Sequence, residues 1–175
     1  GAYIFASNRN MIERSIDCLP LSGVKQLLEI GFGNGAHLPY LFAKAPHLHY
    51  TGIERSEAMI AEATALNTEL VEQGKAVFLH ALTEELPPLP YENFGVCFCV
   101  NTYYFITNLR AYFAQVYSLL RQGGSFVLSA IGKEFGERMP FTKEVFTFYT
   151  PEQLQELLLS VGFTAFDLQT FTEEI

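Results

Sequence analysis

Basic residues are scarce in this chain. Eleven lysines and arginines stand against nineteen aspartates and glutamates in 175 residues, a net charge of −8. The cations are scattered with no basic stripe, so the surface that neutralises phosphates is missing, and no nucleic-acid partner is expected. Cysteine is also rare, with only Cys18, Cys97 and Cys99. An odd count argues against a disulfide framework, and no spacing suits a metal. Cys97 and Cys99 are two apart in an apolar run and so share one strand face, where they serve packing. A reducing, cytoplasmic setting is expected. No apolar stretch reaches membrane-spanning length and no signal peptide is visible, so no membrane insertion is expected. Repeats and low-complexity tracts are absent.

What is present is a chain of single-domain length with 49% hydrophobic residues, enough to bury a sheet on both faces. Apolar runs predict strands over 26–30, 48–54, 76–80, 96–100, 125–131 and 163–171. Helical patterns alternate with them. One spans 36–44, with Pro39 tolerable in the first turn. A second is capped by Ser56, carries Met59, Ala63, Leu66 and Leu70, and ends at Gly74. A third starts at Thr107 or Asn108, carries Leu109, Tyr112, Phe113, Val116 and Leu120, and stops at Gly123-Gly124. A fourth opens on the capping box Thr150-Pro151-Glu152-Gln153 and ends at Gly162. This alternation predicts an α/β fold with a mostly parallel sheet and helices on both faces.

The richest segment is Leu28-Glu29-Ile30-Gly31-Phe32-Gly33-Asn34-Gly35, with Glu54 ending the next apolar run. Glycines let backbone approach a ligand closely. The following helix start offers free N–H groups, and an acidic residue ending the second strand can accept ribose hydroxyls. The set describes a nucleotide-like cofactor across the strand ends of a Rossmann-like, doubly wound sheet. Two cofactors compete. Gly31, Gly33 and Ala36 satisfy the dinucleotide fingerprint, with Glu54 roughly 20 residues on. S-adenosylmethionine carries an ammonium and a sulfonium, and Glu29 is placed to supply a carboxylate to them.

Five segments in order carry a resemblance. Glu29-Ile30-Gly31-Phe32-Gly33-Asn34-Gly35 resembles the first motif of class I S-adenosylmethionine-dependent methyltransferases, of the small-molecule, ubiquinone/menaquinone-biosynthesis-like kind. Gly52-Ile53-Glu54-Arg55-Ser56 is similar to their ribose-binding motif. Thr83-Glu84-Glu85-Leu86-Pro87 resembles the segment after the third strand. Leu119-Leu120-Arg121-Gln122-Gly123-Gly124 resembles the turn into the fifth strand, and Tyr149-Thr150-Pro151-Glu152-Gln153-Leu154 the start of the last helix.

The resemblance implies methyl transfer from S-adenosylmethionine, leaving S-adenosylhomocysteine, to a small-molecule acceptor. A nicotinamide-dependent oxidoreductase and a noncatalytic S-adenosylmethionine-binding module are the alternatives. It implies cofactor contacts from Glu29, Gly31, Phe32, Gly33, Asn34, Gly35, Glu54, Arg55, Leu82, Thr83 and Asn101. Leu82 stands where the family often has an aspartate for the adenine amino group, so backbone near Thr83 is expected to serve instead. Tyr103, Tyr104, Phe141, Phe146 and Phe148 are expected to line the acceptor pocket. No metal is implied, no general base can be named, and the oligomeric state is open. Residues 1–23 read as a partial N-terminal cap and 24–175 as the catalytic domain, with 132–149 an insert covering the substrate. The sequence ends at Ile175, where the family's seventh strand would begin. His37 is expected as a partly exposed helix-start residue.

Overall fold

A computed structural model describes residues 2–82, 84–90, 92–139 and 146–172, with side chains from residue 8 onward. Five strands are present among them: β1 (Gln26–Ile30), β2 (His49–Glu54), β3 (Ala76–His80), β4 (Phe94–Val100) and β5 (Leu120–Ser129). They form one parallel sheet in the order β3-β2-β1-β4-β5. The chain builds outward from β1 to β3, then returns to place β4 on the other side of β1. Between β1 and β4 the winding reverses, which opens a crevice at the carboxyl ends of those strands.

Parallel strands covered on both faces read as continuous apolar runs, and β1 and β4 are buried throughout except at one end residue each. On one face Leu28, Ile30, Ile53, Cys97 and Cys99 pack under α5 (Leu109–Leu119) and α7 (Pro151–Val161). On the other, Leu27, Tyr50, Val96 and Phe98 pack under α1 (Ala2–Asp17), α2 (Leu38–Lys44) and α3 (Glu57–Leu66). Burial holds the thiol of Cys99 up at about 12 and raises that of Cys97 well above its ordinary range, so both remain protonated packing groups.

Several expectations need correction. The helix over 56–74 is two: α3 ends at Leu66 and α4 (Thr68–Glu72) restarts beyond Asn67. The buried Asn67 Nδ2 donates to Ala63 O at 2.9 Å and to Gly35 O at 3.0 Å, while Leu66, expected in the stripe, is 55% exposed. β5 begins at Leu120 rather than 125. Phe94 pairs with Leu120 and Val96 with Ser125, so Gly123-Gly124 sits in a ladder irregularity, Gly123 at φ +78°. Residues 163–172 form no strand, and among the described residues none pairs with them in a ladder to take their N–H and C=O groups. The connection over 132–149 contains a short helix, α6 (Lys133–Arg138).

Candidate functional site

The glycine turn leaves β1 with three left-handed residues, Gly31 (φ +78°), Gly33 (φ +63°) and Gly35 (φ +66°). Each has a different neighbourhood. A Cβ on Gly31 would lie 2.4 Å from Thr102 Cγ2, so the turn is pressed against the exit of β4. A Cβ on Gly35 would meet Ala63 at 3.0 Å. One on Gly33 would meet nothing within 4 Å, so Gly33 faces open space. Hydrogen bonds fix the turn, among them Gly31 N–H to Ile53 O (2.7 Å), Ala36 N–H to Asn34 Oδ1 (3.2 Å), and Asn67 Nδ2 to Gly35 O. Sequence reading missed Asn67. Its signal was an asparagine four residues after Ala63, on the apolar stripe of the helix.

Glu54 ends β2 beside this turn. Its carboxylate accepts from Gly33 N–H (3.0 Å), Arg55 N–H (2.9 Å) and Ser56 N–H (3.0 Å), and the residue is 8% exposed. A carboxylate has about four acceptor positions. Three are taken by backbone, so one position remains for a further donor.

Glu29 is turned into the layer beneath the turn and is 2% exposed. Its Oε2 lies 2.7 Å from His37 Nε2 and accepts from Tyr50 Oη–H at 2.5 Å. His37 therefore corrects the sequence reading: it is 6% exposed, not a surface residue, and its buried Nδ1 has no partner among the described residues. An acid or base must reach its substrate's proton, and this ring does not open onto the crevice. Burial first, and the Glu29 charge second, raise the Tyr50 phenol well above its ordinary value.

The remaining candidates fall into two groups. Arg55, Leu82 and Phe105 border a cavity of about 250 Å³ with Glu84 and Glu85. Here the Arg55 guanidinium stands 5.8 Å from the Phe105 ring centre, and Glu84 accepts from Thr107 N–H at 3.0 Å. Phe32 contributes only backbone to the turn, because its ring is buried against Phe78 at 4.8 Å. Thr83 and Phe141 lie outside the described residues. On the β4 side, Asn101 leaves the strand at φ +55°, its Oδ1 accepting from Tyr104 Oη–H at 2.7 Å. Tyr104 Oη accepts in turn from Ile131 N–H, and Tyr103 Oη accepts from Tyr149 N–H. Tyr103, Tyr104 and Phe148 are almost wholly buried, and Phe146 is half-buried and stacked 5.8 Å from Tyr104. Burial raises both tyrosine phenols, so neither is a ready base.

A larger groove of about 320 Å³ lies between Leu86–Leu89 and the flank of α5, and none of the residues above borders it. Among the described residues no three His, Cys, Asp or Glu side chains gather to hold a metal, and no helix is long and apolar enough to cross a membrane.

The glycine turn meets the Glu54 carboxylate through Gly33 N–H, and the next residue, Arg55, borders the smaller cavity. The methyltransferase-domain family matches residues 28–128. The methyltransferase YdaC of Bacillus subtilis is 26% identical over 134 residues, which are 77% of this chain and 71% of that protein. A solved S-adenosylmethionine dependent methyltransferase from Mesorhizobium loti has a TM-score of 0.74 at 19% identity, covering 90% of this chain and 83% of the other. A chain of the Haloferax volcanii complex between the Trm112 methyltransferase activator and a methyltransferase has a TM-score of 0.75 at 15% identity, covering 92% and 71%.

Proposed function

Since this chain belongs to the methyltransferase-domain family, we propose that it methylates a small molecule held in the crevice between β1 and β4. It is an S-adenosylmethionine-dependent methyltransferase, and the nicotinamide alternative falls away. The observation that carries the small-molecule reading is the acidic, unstriped surface: a net charge of −8 with scattered cations gives phosphate backbones nothing to grip.

S-adenosylmethionine supplies an activated sulfonium methyl for in-line displacement. What the chain contributes is placement, which can account for much of such a rate. In this reading the open face at Gly33 admits the cofactor's backbone-hugging end, Glu54 takes ribose hydroxyl, and Arg55, Leu82 and Phe105 flank the base. Gly31, Gly35, Phe32 and Asn34 shape the turn, and Glu29 braces it from below. Asn101 borders the crevice from β4. Tyr103, Tyr104, Phe146 and Phe148 form an apolar wall toward the acceptor and exclude water. Tyr104 already donates its hydroxyl proton to Asn101 Oδ1, and both tyrosine rings are almost wholly buried, so they back this wall rather than offer the acceptor a donor.

The test is to supply methyl-labelled S-adenosylmethionine with a size-fractionated cell extract. Label is expected in the low-mass fraction. Label in nucleic acid or protein overturns the acceptor class, and no transfer into any fraction returns the chain to a binding module.

Glu54 gives a second check. Charge-assisted hydrogen bonds are worth about 1.5–3 kcal/mol each, so Glu54→Ala is expected to weaken S-adenosylhomocysteine binding by at least about tenfold in calorimetry. Glu54→Gln, which keeps one acceptor oxygen, falls between. Equal affinity in a folded Glu54→Ala protein places the ribose elsewhere.

A further inference from the structure

Asn101 is one of three non-glycine residues at positive φ among the described residues, and of these it is the one at the carboxyl end of a central strand. Asparagine tolerates the left-handed region better than most side chains, but glycine enters it more freely. The structure explains why a side chain is present. Asn101 Nδ2 reaches the N-terminal helix α1, donating to Asn8 Oδ1 at 3.2 Å and lying 3.3 Å from Met11 Sδ. Its other amide atom is held by Tyr104, and Tyr104 by the backbone of Ile131 after β5. The amide therefore cannot turn over without losing a partner on each side.

Asn8, Met11 and Ser15 are three and four apart, so they lie on one face of α1. That face meets the strand ends twice, through Asn101 at β4 and through Ser15 Oγ on Ser129 Oγ at 2.6 Å at β5. The rest of the helix is attached differently. Ile16 is buried in the apolar layer, and Asp17 accepts from Tyr40 Oη–H and pairs with Lys44 on α2. Hydrophobic burial thus anchors α1 from Ile12 to Ile16, while the contacts described at Asn8 itself are polar.

We propose that Asn101 is a positioning residue: it latches α1 against the β4 side of the cofactor crevice and so slows cofactor escape. The second half of this statement rests on the cofactor reading above. The first half does not, which keeps the two separable. A latch of this kind couples helix docking to the residue directly before Thr102, against which Gly31 is packed. Loosening α1 and loosening the glycine turn are then linked through adjacent residues of one loop.

The experiment compares wild type with Asn101→Gly, Asn8→Ala and Asn8→Asp. Asn101→Gly keeps the left-handed backbone and removes only the side chain. Asn8→Asp keeps an acceptor facing Asn101 Nδ2. Two readouts are taken: amide hydrogen exchange over residues 8–16 in the ligand-free protein, and the dissociation rate of S-adenosylhomocysteine. Loss of a hydrogen bond of ordinary strength predicts about fivefold faster exchange in Asn101→Gly and Asn8→Ala. The β1 and β4 amides should be unchanged, and S-adenosylhomocysteine release should be faster by a similar factor. Asn8→Asp should stay near wild type in both. Unchanged exchange in Asn8→Ala overturns the latch, and that variant decides the matter if Asn101→Gly does not fold. Faster exchange with unaltered release overturns the link to the cofactor and leaves the contact structural. Failure of wild type to bind S-adenosylhomocysteine overturns the cofactor reading instead, and exchange alone then judges helix docking.

Discussion

Glu29→Ala is expected to cost about 2–5 kcal/mol of folding stability in urea denaturation, because it strands two buried hydrogen-bond donors. The carboxylate is 2% exposed and serves two buried donors through one oxygen. Alanine leaves Tyr50 Oη–H and His37 Nε2 without an acceptor, each worth about 1–3 kcal/mol when stranded. It also removes a tie between three elements, since Glu29 is on β1, Tyr50 on β2 and His37 at the start of α2. Glu29→Gln keeps an acceptor and should lose about half as much. Tyr50→Phe should cost about 1 kcal/mol, because His37 still satisfies the carboxylate. The phenol also sets a pH limit. Its folded pKa lies above the ordinary 10.0, so the folded state keeps the proton that the unfolded chain gives up. The stability it lends is whole below about pH 10 and is lost as pH rises beyond it. A loss under about 1 kcal/mol in Glu29→Ala would mean that the carboxylate is free for the cofactor ammonium rather than committed to the fold.

The parts of this fold that were legible in the sequence are those decided locally. The glycine turn was legible because left-handed backbone selects glycine wherever it occurs. β1 and β3 begin and end as their apolar runs do, and Thr150 caps α7 through a full capping box. What escaped was decided by partners far along the chain. The pattern over 163–171 suits a strand, but a strand exists only when a neighbour completes its ladder. Arg121, Gln122 and Gly123 are exposed and turn-like, yet they lie inside β5 because Phe94 draws Leu120 into register. Polar burial was least legible. Asn67 and His37 look like surface residues until Gly35 O and Glu29 Oε2 are placed beside them. Both support the glycine turn from below, so the local motif was visible while its bracing was not.

The strongest separation of that bracing from the ligand face comes from two glycines of the turn, Gly31 and Gly33. Gly31→Ala is expected to destabilise the protein by about 2–5 kcal/mol. About 1–2 come from holding alanine at left-handed φ, and about 1–3 from forcing a methyl group into packed surroundings. The intruding Cβ would sit 2.4 Å from Cγ2 of Thr102, itself buried, and no rotation of alanine relieves the contact. Gly33→Ala carries only the first cost, because nothing lies within 4 Å of its added carbon. It should stay folded within about 1–2 kcal/mol of wild type. Its methyl, however, projects where the cofactor is proposed to rest, so S-adenosylhomocysteine binding should weaken by at least about tenfold, equivalent to about 1.4 kcal/mol of steric cost. Thr102→Ala supplies the control. It removes the clashing Cγ2 and leaves Cβ at 3.7 Å from the new methyl, an ordinary contact. In the Gly31→Ala background it should therefore recover the packing share of the loss and leave the backbone share, a coupling of about 1–3 kcal/mol in a double-mutant cycle. Strict additivity of the two substitutions would show that the turn yields around Gly31 and that Thr102 does not hold it.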